Sequence, residues 1–175
     1  VASFLDDGVQ IIDITDPDDP IPVAAIEDDV GGFTELDGVL GITTVVIGAN
    51  TYALVASAFD EGVQIIDITD PSSPIPVAAI EDGIGGFTEL SGATDITTVV
   101  IGANTYALVA SDDDNGVQII DITTPSSPTA TAAIEDDVGG FTKLDGVLGI
   151  TPVVIGANTY ALVTASDESA VQIIN

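Results

Sequence analysis

Three tyrosines, Tyr52, Tyr106 and Tyr160, stand 54 residues apart, and Gly8, Gly62 and Gly116 keep the same interval. The text around them returns with them. Tyr52-Ala-Leu-Val-Ala-Ser57, a short turn and Gly62-Val-Gln-Ile-Ile-Asp-Ile68 come back over 106–122 and 160–174, and the second half of the phrase opens the chain at 8–14. A fixed period of this size marks a repeat architecture. One small unit cannot bury its own apolar surface, so it is copied and stacked on its neighbours.

Each period reads as four strands. The first is Ile42-Thr-Thr-Val-Val-Ile-Gly48, copied at 96–102 and 150–156, and its β-branched residues favour extended backbone. Gly48-Ala-Asn-Thr51 and its copies supply the residue types of a tight hairpin turn. The second strand is Tyr52 to Ser57. A short acidic turn follows, Asp6-Asp7-Gly8, Asp60-Glu61-Gly62 or Asp114-Asn115-Gly116, and then the third strand, Val9 to Ile14 and its copies. The prolines of Asp16-Pro-Asp-Asp-Pro20, Asp70-Pro-Ser-Ser-Pro74 and Thr124-Pro-Ser-Ser-Pro128 can neither donate to a sheet nor continue a helix, so each segment is a rigid turn. The fourth strand covers 21–26, 75–80 and 129–134. Pro22 and Pro76 near its start mark it as an edge strand. A long connection, Glu27 to Gly41 and its copies, leads to the next unit.

The strands do not alternate between apolar and polar. Thr44-Val-Val-Ile47, Ala53-Leu-Val-Ala56 and Val63-Gln-Ile-Ile66 are apolar on both faces, so both faces of each small sheet must be covered. The expected fold is all-β: β-propeller-type, four-stranded antiparallel blades in tandem, with an open or filamentous stack of the same blades as the alternative. The expected units are a partial blade with its connection over 1–41, blades with connections over 42–95 and 96–149, and a partial blade over 150–175. Propellers close with about four to eight blades. The expectation is therefore that the segment continues into further blades of the same chain or associates with copies of itself.

The chain holds 29 Asp and Glu against one basic residue, Lys143, and no His, for a net charge of -28. Nucleic acid and anionic membrane surfaces are repelled by such a charge, whereas cations and basic proteins are attracted. No run of residues is apolar and long enough to insert in a membrane as a helix. In salty water the self-repulsion is screened within a Debye length of about 8 Å or less, which points to an extracellular or cell-surface location. There is no Cys and no Met, so thiolate sites and disulfides are excluded.

Gln64-Ile-Ile-Asp-Ile-Thr-Asp-Pro71 resembles the LVIVD-type β-propeller repeat, with Ile65, Ile66, Asp67, Asp70, Pro71 and Pro74 carrying the match. It recurs at 10–20 and 118–128, where Thr124 replaces the Asp, and the resemblance spans essentially the whole chain. Similar repeats occur in large surface proteins of marine archaea. The resemblance implies a propeller-type fold and an exterior location, and no single activity.

Acidic turns and long connections emerge on one side of such blades. Calcium takes several carboxylate and carbonyl oxygens, and the candidate metal residues are Asp6 and Asp7, Asp60 and Glu61, and Asp112, Asp113, Asp114 and Asn115. Of these, Ser111-Asp-Asp-Asp-Asn-Gly116 looks most like half a calcium loop; the other turns do not keep its spacing. The competing reading is that these are turn residues on a solvated rim. Asp13, Asp67 and Asp121, inside apolar strands, are expected to accept hydrogen bonds from the Thr that follows in each turn. Without His or Cys no familiar nucleophile–base pair is present. The expected function is a non-enzymatic scaffold, with a lectin-like or adhesin module as the alternative.

Overall fold

The computed structural model describes all 175 residues. Fourteen strands run β1 Ala2–Ser3, β2 Gly8–Asp13, β3 Ile21–Glu27, β4 Val39–Ile47, β5 Asn50–Ser57, β6 Gly62–Asp67, β7 Ile75–Glu81, β8 Ala93–Ile101, β9 Asn104–Ser111, β10 Gly116–Asp121, β11 Thr129–Glu135, β12 Val147–Ile155, β13 Asn158–Ala165 and β14 Ala170–Ile174. They form four antiparallel meanders, ordered β1-β2-β3, β4-β5-β6-β7, β8-β9-β10-β11 and β12-β13-β14. There is no helix.

The β4–β5 hairpin turns on two residues, since Ile47 pairs with Asn50. Gly48 there has φ 65°, the positive value that a tight primed turn demands and that glycine meets without a steric cost. Strand one begins at Val39 rather than Ile42, because a register shift between Val39 and Gly41 lets the ladder run three residues further back. Gly41 is needed there: a side chain would collide with the backbone of Asp95 in the first strand of the next unit. The proline-bearing fourth strand lies at the sheet edge, as its sequence requires, and a register shift between Ile65 and Ile66 recurs between Ile119 and Ile120, where Ala130 stands in place of the proline.

Three apolar layers lie between the four sheets. Val9 and Ile26 meet Ala53, Val55 and Ile66 in the first; Leu54, Ala56, Val63 and Ile65 meet Ile96, Ala107 and Val109 in the second; Leu108, Ala110 and Val117 meet Ile150, Ala161 and Val163 in the third. Neighbouring residues of one strand, such as Ala53 and Leu54, thus serve opposite layers. That is why the strands read as apolar throughout. The sheets do not close into a ring, so the arrangement is an open stack of blades.

Candidate functional site

One side of the stack is built by the connections and the acidic turns, and the bonds between them recur from unit to unit. Each connection is clipped internally by its first Asp: Asp28, Asp82 and Asp136 accept the backbone N–H of Leu36, Leu90 and Leu144 at 2.9–3.1 Å. The leucines themselves are buried in the layers. Each connection is then gripped by a glutamine from strand three of the next unit. Gln64 accepts from Thr34 N–H at 3.0 Å and donates to the carbonyl of Ala78 at 2.8 Å. Gln118 does the same with Thr88 and Ala132. A buried amide that satisfies both its ends in this way rigidifies the contact instead of destabilising it.

The candidate metal residues are mostly occupied with this same task. Asp60 Oδ2 accepts the N–H of Asp37 at 2.7 Å, and Asp114 Oδ2 that of Ser91 at 2.8 Å. Asp7 and Asn115 accept from Gly38 and Gly146. Glu61 accepts from the Ser91 hydroxyl at 3.1 Å, and Asp6 from Ser3. Asp113 lies against Gly92, where a side chain on the glycine would strike it. Asp112 has its carboxyl pushed up by burial and by the charges of Asp113, Asp167 and Asp145. The structure brings turn and connection together, one carboxylate to one backbone donor. No three of these groups converge as a ready metal cage.

The strand-end aspartates behave as expected. Asp13, Asp67 and Asp121 each accept the N–H of Thr15, Thr69 and Thr123 at 2.8 Å. Asp67 and Asp121 also accept from Asn50 and Asn104 across the sheet. These bonds hold the carboxyls below their ordinary range, the Thr contacts being the main cause.

Two residues that sequence reasoning passed over are the most unusual in the molecule. Glu35 and Glu89, in the middle of the connections, are only 7% and 8% exposed. One oxygen of each, Oε2, is buried without any hydrogen-bond partner, as is Oε2 of Glu168 in the third unit. Burial, helped by the charges of Asp60, Glu81 and Asp28, pushes Glu35 up to about 8. Burial and the charges of Asp114, Glu135 and Asp82 push Glu89 up to about 7. Their backbone carbonyls are fixed by the hydroxyls of Ser57 and Ser111 at 2.6 and 2.7 Å. In the third unit the equivalent residue is Lys143, whose Nζ pairs with Glu168 Oε1 at 2.8 Å, the only side-chain ion pair of the chain. A signal was present in the sequence: Glu35 and Glu89 go with Gly62 and Gly116, while Lys143 goes with Ala170.

Four-stranded antiparallel blades, stacked in tandem and tied by regular connections, define a blade-repeat protein. Residues 45–81 and 99–134 match the LVIVD repeat, so these two stretches support a relation to the LVIVD repeat family. The two matches begin within β4 and β8 and reach β7 and β11, so they fall on the two four-stranded sheets. No curated protein matches the chain. Among solved structures, a functionally unknown protein from Desulfotomaculum acetoxidans is similar at 13% identity, with a TM-score of 0.46. The similarity covers all of this chain and 64% of that one, so the chain spans less than two thirds of that protein's length.

Proposed function

We propose that the chain is a non-enzymatic scaffold, displayed outside the cell or on its surface, whose blades are completed by copies of the same chain or by further blades of a longer array. The observation that supports this reading is the unequal treatment of one strand sequence. In β6 and β10 the Gly-Val-Gln-Ile-Ile-Asp strand has a partner on each side. In β14 the same Val-Gln-Ile-Ile text pairs only with β13 within residues 1–175. Val171 and Ile173 are exposed there, as are Leu5, Ile12 and Ile14 around the first sheet.

A free edge beside apolar side chains is a template for strand addition. The molecule itself indicates what fits: strand four of the Ile75–Glu81 type covers the equivalent edge of β6. Strand four is already paired in each sheet that has one, so between copies such a contact requires β3 to be exchanged from the first sheet of one copy to the last sheet of another. It is heterologous and leads to an open filament or a ring. The net charge of -28 keeps such a polymer soluble and favours a salty exterior.

A labelled peptide carrying residues 70–81 tests the reading. The expected result is saturable binding to the chain, lost when Ile173 is replaced by Lys. A peptide that does not bind, or binds Ile173→Lys equally well, would contradict it.

A further inference from the structure

Glu35 sets an electrostatic problem that its own unit does not solve. Its Oε2 atom is buried and unpartnered. A side chain placed on Gly62 would meet both this oxygen and the carbonyl oxygen of Ile80. Two oxygens therefore border one methyl-sized space. The charges of Asp60, Glu81 and Asp28 surround the same carboxyl. The second unit repeats the arrangement: Glu89 Oε2 and the Ile134 carbonyl both border Gly116, with Asp114, Glu135 and Asp82 around them. An isolated buried carboxylate costs several kcal/mol, and gathering further negative charge around it raises that cost.

The third unit shows how the chain meets the same problem with its own atoms. At the place of Glu35 and Glu89 stands Lys143, the one basic side chain of the protein, and it faces Glu168, the equivalent of Asp60 and Asp114. The ammonium is about half exposed and pairs with one oxygen of Glu168, whose other oxygen, Oε2, is buried without a partner. Ala170 replaces the glycine in that unit, where no glutamate presses against strand three.

We infer that Glu35 with the Ile80 carbonyl, and Glu89 with the Ile134 carbonyl, are the nuclei of two calcium sites, one in each of the first two units, and that Lys143 replaces the cation in the third. A hard divalent ion of the calcium class fits the donor set, which is all oxygen and mixes carboxylate with backbone carbonyl. Calcium takes 6–8 oxygens in flexible geometry, so it accepts Asp60 or Asp114 and water in the remaining positions, where magnesium demands a near-ideal octahedron. No cage of three carboxylates stands preformed, so ion binding draws the carboxylates in. Each site joins a connection to strands three and four of the following unit, and the ion thereby fastens one blade to the next. This inference is independent of the assembly reading, because both sites lie within one chain.

The test is calorimetric titration of calcium into chelator-treated protein at about 0.15 M salt, which screens diffuse binding to the acidic surface. Two equivalents per chain are expected. Glu35→Gln and Glu89→Gln should each remove one equivalent, and the double variant both. Asp18→Asn/Asp19→Asn, an equal change of charge on an exposed turn, should leave both. Carbon-13 resonances of the Glu35 and Glu89 side-chain carboxyls follow the same titration, and both should shift as calcium is added. Glu35→Lys, which copies the third unit, should also lose one equivalent while keeping the strand spectrum of the parent. Absence of stoichiometric calcium, carboxyl resonances that do not move, or two equivalents retained in the double Gln variant would each overturn the proposal.

Discussion

The same four residues, Val-Gln-Ile-Ile, form the middle of β6 and of β14, and the molecule treats them in opposite ways. Ile65 is 1% exposed and Ile173, its equivalent one hundred and eight positions on, is 58% exposed. Gln64 is buried and bonded to the strand beside it, while Gln172 is half-exposed and bonds only to the adjacent carbonyl and the preceding connection. The flanking residues differ, Gly62 and Asp67 against Ala170 and Asn175. The larger difference is the neighbours: β7 flanks β6 and the next sheet covers Ile65, whereas within residues 1–175 no strand flanks the outer edge of β14 and no sheet covers Ile173. In a repeat protein, stability is largely a property of the interface between units and not of the unit itself.

The comparison is broken most easily at its two isoleucines. Ile65→Ala should cost about 2–5 kcal/mol, the range for deleting buried methyl groups from a packed layer. Ile173→Ala, at low protein concentration, should fall within about 0.5 kcal/mol, as exposed substitutions do. Urea denaturation of both variants checks this, and equal costs would remove the contrast.

The glutamines give the next largest effect. Gln118→Ala strands the Thr88 N–H and the Ala132 carbonyl, and leaving buried partners unsatisfied costs about 1–3 kcal/mol. Gln172→Ala loses a long bond from Thr142 and one to the adjacent Ile173 carbonyl, both on an exposed surface, and should cost well under half as much. Amide exchange of the connection residues 31–36 and 85–90 should accelerate in Gln64→Ala and Gln118→Ala respectively, and not in the other connection.

Smaller effects come from acid–base linkage in chelator-treated protein. Glu35 and Glu89 have raised folded values, so the folded state binds more protons than the unfolded one between the ordinary carboxylate range and about 7 to 8. Their contribution is present in full below the unfolded value and is lost as pH rises through the folded value. Stability should therefore fall between about pH 5 and pH 8, and flatten in Glu35→Gln/Glu89→Gln. Asp67 and Asp121 have lowered values and act in the opposite sense. Their contribution is present above the unfolded value and is lost as pH falls through the folded value, and Asn50→Ala should weaken it slightly at Asp67 alone. Thermal unfolding across pH reads both limbs.

Much of the architecture was legible in the text. The period announces stacking, the Gly-Ala pair announces the hairpin, Pro22 and Pro76 announce the outer strand, and strands apolar on both sides announce layers on both faces. The open stack was foreseen only as the alternative to a closed ring, because closure depends on how many blades meet and not on the sequence of any one. The start of β4 at Val39 was missed for a different reason. Val39-Leu-Gly41 reads as loop, and only its register against Ser57 and Ala56 makes it strand.

The site was less legible than the fold. Asp60 and Asp114 were picked out as carboxylates in a turn, and their bonds to Asp37 and Ser91 lie some two dozen residues away in sequence, beyond any local pattern. Glu35 in Phe33-Thr-Glu-Leu36 looks like an ordinary polar loop residue. Its burial follows from Leu36 and Phe33 on either side being drawn into the layer between sheets. Comparing the units with each other, Glu35 and Gly62 against Lys143 and Ala170, was the one route to it from sequence.

The most direct test of the central claim is the solution mass of the chain by light scattering over a wide range of concentration. The account predicts a discrete oligomer or a growing filament, in multiples of 17.6 kDa, that falls to the monomer when Ile173 is replaced by Lys. A mass of one chain at every concentration, with Val171 and Ile173 still exposed, would contradict completion of the blades by copies of the same chain.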